Sequence, residues 1–221
     1  MNKAIHIERL RRDPIYVIMG EELSLGRKNA EMAELLVDAG VHIIQYREKH
    51  KSYQEKYAEC MAIRTITEEN DITFIVNDEP ELAVACRADG IHVGQKDMPV
   101  GEVRQLVGPD MVIGLSTNTI EELKKAAAEG NADYVGLGPV FPTHSKNDAN
   151  EVLTKATIKF AMQDYPLPVI AIGGINRSNL GALQHMGFRS FAMISAIVSQ
   201  RNVSQAVGEL RQVLVDQTVI L

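Results

Sequence analysis

The chain of 221 residues has no tryptophan, two cysteines and only 5% aromatic residues. Cys60 and Cys86 are too few and too far apart for a disulfide framework or a metal knuckle, and they read as free thiols on helices. No segment approaches the ~20 consecutive apolar residues of a membrane-spanning helix. The opening stretch MNKAIHIERLRRDPIYVIMG also lacks an uninterrupted apolar run of signal-peptide length. The cytoplasm is therefore the expected compartment, and no membrane partner is expected. Runs of Lys and Arg are missing too, and the formal net charge is −6. This argues against a nucleic-acid partner, which would need a basic face, but allows a local basic pocket that holds an anion. With no Pro/Ser-rich linker and no low-complexity tract, residues 1–221 are expected to form one domain, with 1–13 as an N-terminal extension or helix.

Hydrophobic residues make up 45% and charged residues 24%, the profile of a soluble globular protein. Eight short apolar runs recur along the chain: IYVIM (15–19), VHIIQY (41–46), ITFIVN (72–77), GIHV (90–93), MVIGLS (111–116), DYVGLG (133–138), PVIAIG (168–173) and SFAMIS (190–195). Between them lie segments with helical spacing, such as RKNAEMAELLVDAG, SYQEKYAECMAIRTITEEN and TIEELKKAAAEG. Strands that are apolar nearly throughout are expected where both faces are covered. Eight βα units over this length predict a single (β/α)8 TIM barrel, with a doubly wound open sheet as the alternative. Polar or glycine residues follow seven of the eight strands, and an open sheet gives no reason for so many loaded strand ends.

Asp78 follows the third strand and Asp97 lies a few residues past the fourth, so a barrel would aim two carboxylates at one point. Mg2+ usually takes one or two carboxylates and completes its shell with water and substrate phosphate. Each aspartate alone could instead cap a helix, starting near Pro80 and Met98-Pro99 respectively. Arg47, Lys49 and Lys146 fall after strands two and six. A bound polyphosphate would account for them; the plainer reading is a solvated cluster, since Glu48, His50 and Lys51 crowd the same stretch. Gly173 and Gly174 after strand seven and Ser195 after strand eight fit a second anion site, or a tight turn and a helix cap. In GIHVGQKDMP, His92 is expected to be packed and hydrogen-bonded. Gly94 and Gln95 shape the turn that delivers Asp97, and Lys96 is solvated.

The ordered series QYREK, IVNDEPELA, ADGIHVGQKDMP, IGLST, ADYVGLGPVFPTHSK, PVIAIGGI and ISAI closely resembles the thiamine-phosphate synthase (thiamine-phosphate pyrophosphorylase) family over most of the chain. The resemblance implies a transferase of thiamine biosynthesis. It would join 4-amino-5-hydroxymethyl-2-methylpyrimidine diphosphate to a thiazole phosphate, giving thiamine phosphate and pyrophosphate by a dissociative substitution. It implies that Gln45, Arg47, Lys49, Asn77, Ser116 and Lys146 contact the pyrimidine diphosphate, with Arg47, Lys49 and Lys146 catalytic. Asp78 and Asp97 would hold Mg2+, while Thr143, Ser145, Gly174, Ile194 and Ser195 would hold the thiazole phosphate. The expected partners are thus small phosphorylated molecules, in a chain that could form a homo-oligomer.

Three departures stand out. Ser145 replaces the second threonine of a T-x-T-K pattern and keeps its hydroxyl. GFRSFAM, with Phe188 and Arg189, replaces a G-A-D-G-like stretch before strand eight, where it could alter the thiazole pocket. IMGEE replaces an acidic TD ending of the first strand. Two other functions are alternatives. A related thiazole tautomerase would need a histidine where this chain has Asn118, which exchanges no proton near neutral pH. A non-catalytic sensor of phosphate ligands would be expected to have lost Asp78, Asp97 or Lys146. His144, on the loop after strand six, has no evident partner and reads as incidental.

Overall fold

In the computed structural model, residues 2–143, 151–163 and 165–216 are described. The strands are β1 (Ile15–Met19), β2 (Ile43–Tyr46), β3 (Thr73–Asn77), β4 (Gly90–Val93), β5 (Val112–Thr117), β6 (Tyr134–Leu137), β7 (Val169–Ile172) and β8 (Ser190–Met193). They pair in sequence order, all parallel, and β8 closes on β1 through Ile15 with Phe191 and Val17 with Met193. The expected eight-stranded barrel is therefore the fold, and the open sheet is not. Strand two starts at Ile43 rather than residue 41, because Gly40, at φ 71°, turns the chain and Val41 N–H still donates to Leu36 of the preceding helix.

The helices between strands are α2 (Asn29–Asp38), α3 (Tyr53–Glu69), α4 (Pro80–Ala85), α5 (Val100–Val107), α6 (Ile120–Glu129), α7 (Lys155–Met162) and α8 (Leu180–His185). Two of them begin with reciprocal capping, Ser52 with Glu55 and Thr119 with Glu122, which satisfies end amides that the helix itself leaves unpaired. At the termini, α1 (Lys3–Arg12) precedes the barrel and α9 (Val203–Asp216) follows it.

Side chains alternate along each strand, and the two parities have different neighbours. One set, including Ile15, Val17, Ile44, Phe74, Val76, Ile91, Val135 and Phe191, packs with helix residues such as Met32, Leu36, Ile63 and Leu183. The other set, Tyr16, Ile18, Ile43, Ile75, Val112, Tyr134, Ile170 and Ala192, fills the barrel, where Leu10 of α1 joins it. Continued to the C-terminal ends of the strands, the inward parity includes Gln45, Asn77, His92 and Ser116, so the interior changes from apolar to polar toward the mouth. Cys60 lies on α3 and Cys86 just after α4, both buried and free. Phe188 and Arg189 precede β8 and hence sit at the opposite end from the mouth. Phe188 packs in the helix–barrel layer, so this departure from the family pattern does not shape the mouth.

Candidate active site

The mouth is built from chain segments that leave β2, β3, β4 and β5. Arg47 follows β2 directly, its N–H donating to Met19 O at 2.9 Å, which extends the strand pairing by one residue. Its side chain is half-buried, and Nε is buried without a hydrogen-bond partner among the described residues. A buried guanidinium N–H without an acceptor is costly, and an anion would satisfy it. Lys49, two residues on, forms an ion pair with Asp78.

Glu48 and Lys51 have partners elsewhere in the fold, whereas Lys49 and His50 are exposed. Glu48 accepts from Glu21 N–H at 2.6 Å and from Asn29 Nδ2 at 2.8 Å. Lys51 pairs with Glu59 and with Glu21, the latter at 3.0 Å, and Glu59 also accepts from Tyr46 OH at 2.7 Å. Burial works against the charge of Lys51, but hydrogen bonds to Glu59 and Glu21 and the charges of Glu59 and Glu48 outweigh it and raise its pKa. These contacts tie Glu48 and Lys51 to Glu21, Asn29 and Glu59, whereas Lys49 pairs with Asp78.

Asp78 occupies the left-handed region at φ 61°, uncommon for a residue other than glycine, with its N–H donating to His92 O at 2.8 Å. Its carboxyl does not cap α4, whose first turn lacks a side-chain cap. Asp97 likewise does not cap α5; Oδ2 instead accepts from Gly94 N–H at 2.7 Å, closing the turn that delivers it. Gln95 pins the same turn to β5 by donating to Ser116 O at 2.7 Å, while Lys96 is exposed.

The Asp78 and Asp97 carboxyls contact each other. Burial works against ionisation of Asp78, but the hydrogen bond and charge of Lys49 outweigh it and hold its pKa below the usual value. Asp97 is shifted upward, first by loss of hydration and then by the charge of Asp78. Two hard oxygen donors close together, one with its pKa raised by burial and by the other's charge, form a pair that a divalent cation relieves. Among the described residues no group of three or more His, Cys, Asp or Glu side chains that could hold a metal occurs; Mg2+ itself usually takes only one or two carboxylates.

Deeper in the mouth, Gln45 is buried and donates through Nε2 to Tyr16 OH at 2.6 Å. Ser116 Oγ lies 2.9 Å from His92 Nε2, and Asn77 pairs in register with His92 at the end of β3.

On the other side, the segment after β6 lies against the turn after β7. Phe141 N–H donates to Gly173 O at 3.1 Å and Val140 N–H to Ile172 O at 2.9 Å. Gly174 is at φ 65°, and a Cβ there would strike Phe141 and Pro142, so only glycine allows this approach. That contact brings Gly174 beside the chain leading to half-buried Thr143. Ile194 and Ser195 follow β8 in a turn held by Ile197 N–H on Ile194 O at 2.9 Å and Gln200 Nε2 on Ser195 O at 3.0 Å. Ser195 therefore does not cap α9, which begins at Val203. Ser145, Lys146 and His144 lie outside the described residues.

Asn118 Nδ2 donates to Gly138 O and to Glu151 O, both at 3.0 Å. Its amide thus ties together the two ends of the loop after β6, a structural task that leaves no acid or base at the position where a tautomerase would need one. Sequence reading did not single out Tyr16, Tyr134, Glu59 or Asn29. Their partners are distant in the chain, and IYVIM and DYVGLG look uniformly apolar.

The chain matches the thiamine monophosphate synthase family over residues 15–197. It is 41% identical over 200 residues to thiamine-phosphate synthase of Lawsonia intracellularis, covering 90% of this chain and 92% of that protein. With thiamine-phosphate synthase of Dictyoglomus turgidum it shares 38% identity over 214 residues, 97% of this chain and 96% of the relative. The structure of thiamine phosphate pyrophosphorylase from Pyrococcus furiosus superposes with a TM-score of 0.84 at 32% identity, covering 94% of this chain and 98% of that one. By sequence and by architecture, this chain belongs to the thiamine monophosphate synthase family.

Proposed function

We propose that this chain joins 4-amino-5-hydroxymethyl-2-methylpyrimidine diphosphate to a thiazole phosphate, forming thiamine phosphate and releasing pyrophosphate. The observation that carries the reading is the Asp78–Asp97 contact with Lys49 paired to Asp78 and, two residues before Lys49, a buried Arg47 Nε without a hydrogen-bond partner among the described residues. This is a receptor for a polyphosphate and a divalent cation.

In a dissociative substitution, a pyrimidinylmethyl cation and a pyrophosphate anion separate. The groups that matter are those that meet charge as it develops. Arg47 offers a planar fork to the departing diphosphate, and Lys49 a point charge that Asp78 holds in place. Ser116 and Asn77 lie beside this centre, and Lys146 is assigned to it by motif. Asp78 and Asp97 would hold Mg2+, which when bound neutralises the charge building on the leaving group. Gln45 faces the pyrimidine. Gly174, Ile194 and Ser195 line the opposite rim with Thr143, and with Ser145 by motif, as the thiazole phosphate half-site. No protein nucleophile is needed, because the thiazole nitrogen attacks, and placing the two halves together supplies much of the rate.

The test is to incubate the purified chain with both phosphorylated halves and Mg2+ and to follow thiamine phosphate and pyrophosphate. Equimolar release of the two is expected. No product at any Mg2+ concentration would remove the assignment.

A further inference from the structure

One continuous hydrogen-bonded chain crosses the barrel interior and joins two residues of the mouth. Gln45 Nε2 of β2 lies 2.6 Å from Tyr16 OH of β1, and that hydroxyl lies 2.9 Å from Tyr134 OH of β6. Tyr134 OH is 3.0 Å from His92 Nδ1 of β4, and His92 Nε2 is 2.9 Å from Ser116 Oγ of β5. Gln45, Tyr16, Tyr134 and His92 are buried, and burial raises the pKa of both phenols, so each keeps its proton. Space for the imidazole is provided by the neighbouring strands. A Cβ at Gly114 would collide with His92 and Tyr134, and one at Gly136 would come within 3.1 Å of the His92 ring.

Each phenol has a single hydrogen and a neutral imidazole has one N–H, so with His92 neutral the chain is satisfied throughout in two ways. In one, every donor points from Gln45 toward Ser116: amide to Tyr16, Tyr16 to Tyr134, Tyr134 to Nδ1, and Nε2–H to Ser116, whose own hydrogen is left for the mouth. In the other, every donor points back, Ser116 donates to His92, and the Gln45 carbonyl accepts from Tyr16. Any mixed arrangement leaves a buried group without its partner.

We propose that the chain Gln45–Tyr16–Tyr134–His92–Ser116 is a positioning relay that couples recognition of the pyrimidine 4-amino group to stabilisation of the leaving diphosphate. The inference rests on the substrate assignment above. In the first polarity, Gln45 presents its carbonyl oxygen to an amino group while Ser116 presents its hydrogen to an anionic oxygen, so both ends suit the same substrate. A 4-oxo pyrimidine would need a donor at Gln45. Turning the amide reverses the relay and aims the lone pairs of Ser116 at the diphosphate. The relay residues Tyr16, Tyr134 and His92 thereby become specificity determinants without touching substrate.

The test combines a spectroscopic and a kinetic readout. Long-range 15N–1H spectra of the chain, free and with Mg2+ and pyrophosphate, should show His92 protonated at Nε2 and bare at Nδ1, its signals identified by their absence in His92→Gln. A His92 protonated at Nδ1 would overturn the proposal. This readout requires no turnover, so it separates failure of the relay from failure of the substrate assignment. In kinetics, Tyr134→Phe breaks the relay at its centre. It should lower kcat and the preference for the 4-amino over the 4-oxo pyrimidine diphosphate by about tenfold each, with KM for the thiazole phosphate unchanged. An unchanged preference would overturn the coupling. If Tyr134→Phe does not fold, Tyr16→Phe carries the same expectation, and the wild-type spectrum still decides the polarity.

Discussion

Four aspartates divide between the two ends of the barrel and live in opposite circumstances. At the N-terminal end, Asp89 accepts from Arg64 at 3.0 Å and from Phe74 N–H at 2.9 Å, and buried His6 lies beside it. Asp133 accepts from Arg104 at 2.6 Å and Ile113 N–H at 2.9 Å, with Lys3 at 2.8 Å. Each of these carboxylates has its own arginine and a strand amide, and α1 adds Lys3, His6 and Leu10 to the same end. At the C-terminal end, Asp78 is held in a left-handed conformation and Asp97 is set against it, with one lysine at hand. The same residue type locks a fold where its charge is matched and prepares a site where it is not. In barrels, stability and chemistry divide in this way between the two faces.

The contrast can be broken from either side. The largest effect is expected for Asp97→Asn, which should lower kcat/KM by roughly 10²–10³-fold and raise the Mg2+ concentration needed for half-activity, while thermal unfolding is unchanged or shifted upward. Mg2+ titrations of activity and melting curves check the two halves of this expectation. The wild-type protein has a pH signature from the same group. Because the Asp97 pKa is raised, its proton competes with the cation at a higher pH than for an ordinary aspartate. Half-activating Mg2+ should therefore increase as pH falls toward that range, and Asp97→Asn should lose this dependence.

At the other end, Asp89→Ala should cost about 3 kcal/mol in urea unfolding, since it strands the largely buried Arg64 guanidinium and frees the Phe74 amide. The folded fraction should retain wild-type kcat/KM. A variant that lost activity without losing stability would erase the distinction between the two ends. The smallest effect belongs to Lys96→Ala, next to Asp97 in sequence but exposed, which should leave kcat/KM and stability within about twofold and about 0.5 kcal/mol of wild type.

The architecture was legible because barrel strands carry their own punctuation. Apolar runs of four to six residues end in glycine or polar residues, and the periods between them are helical. The metal-binding candidates were legible for the same reason, since Asp78 and Asp97 follow adjacent strands. Local spacing also allowed both to be helix caps; the paired ends of β3 and β4 bring the carboxyls together instead. The division of the QYREKHK stretch was hidden, because the partners of Glu48 and Lys51, namely Asn29 and Glu59, come from α2 and α3. Tyr16 and Tyr134 were hidden by apolar neighbours of the opposite parity, and their contact spans 118 positions. His92 could be read as packed and hydrogen-bonded, but not to which partners. Phe188 and Arg189 looked close to the site only because β8 is short; the direction of the strand puts them at the far end.

The most direct test of the account is calorimetric titration of pyrophosphate into the full chain, with and without Mg2+, for wild type, Asp97→Asn and Arg47→Ala. Binding should be tight only for wild type with Mg2+. It should weaken by roughly 10- to 100-fold in Arg47→Ala, which removes a charged donor, and lose its Mg2+ dependence in Asp97→Asn. Equal affinity with and without the cation in wild type, or unchanged affinity in both variants, would contradict a mouth built to collect a metal-bound diphosphate.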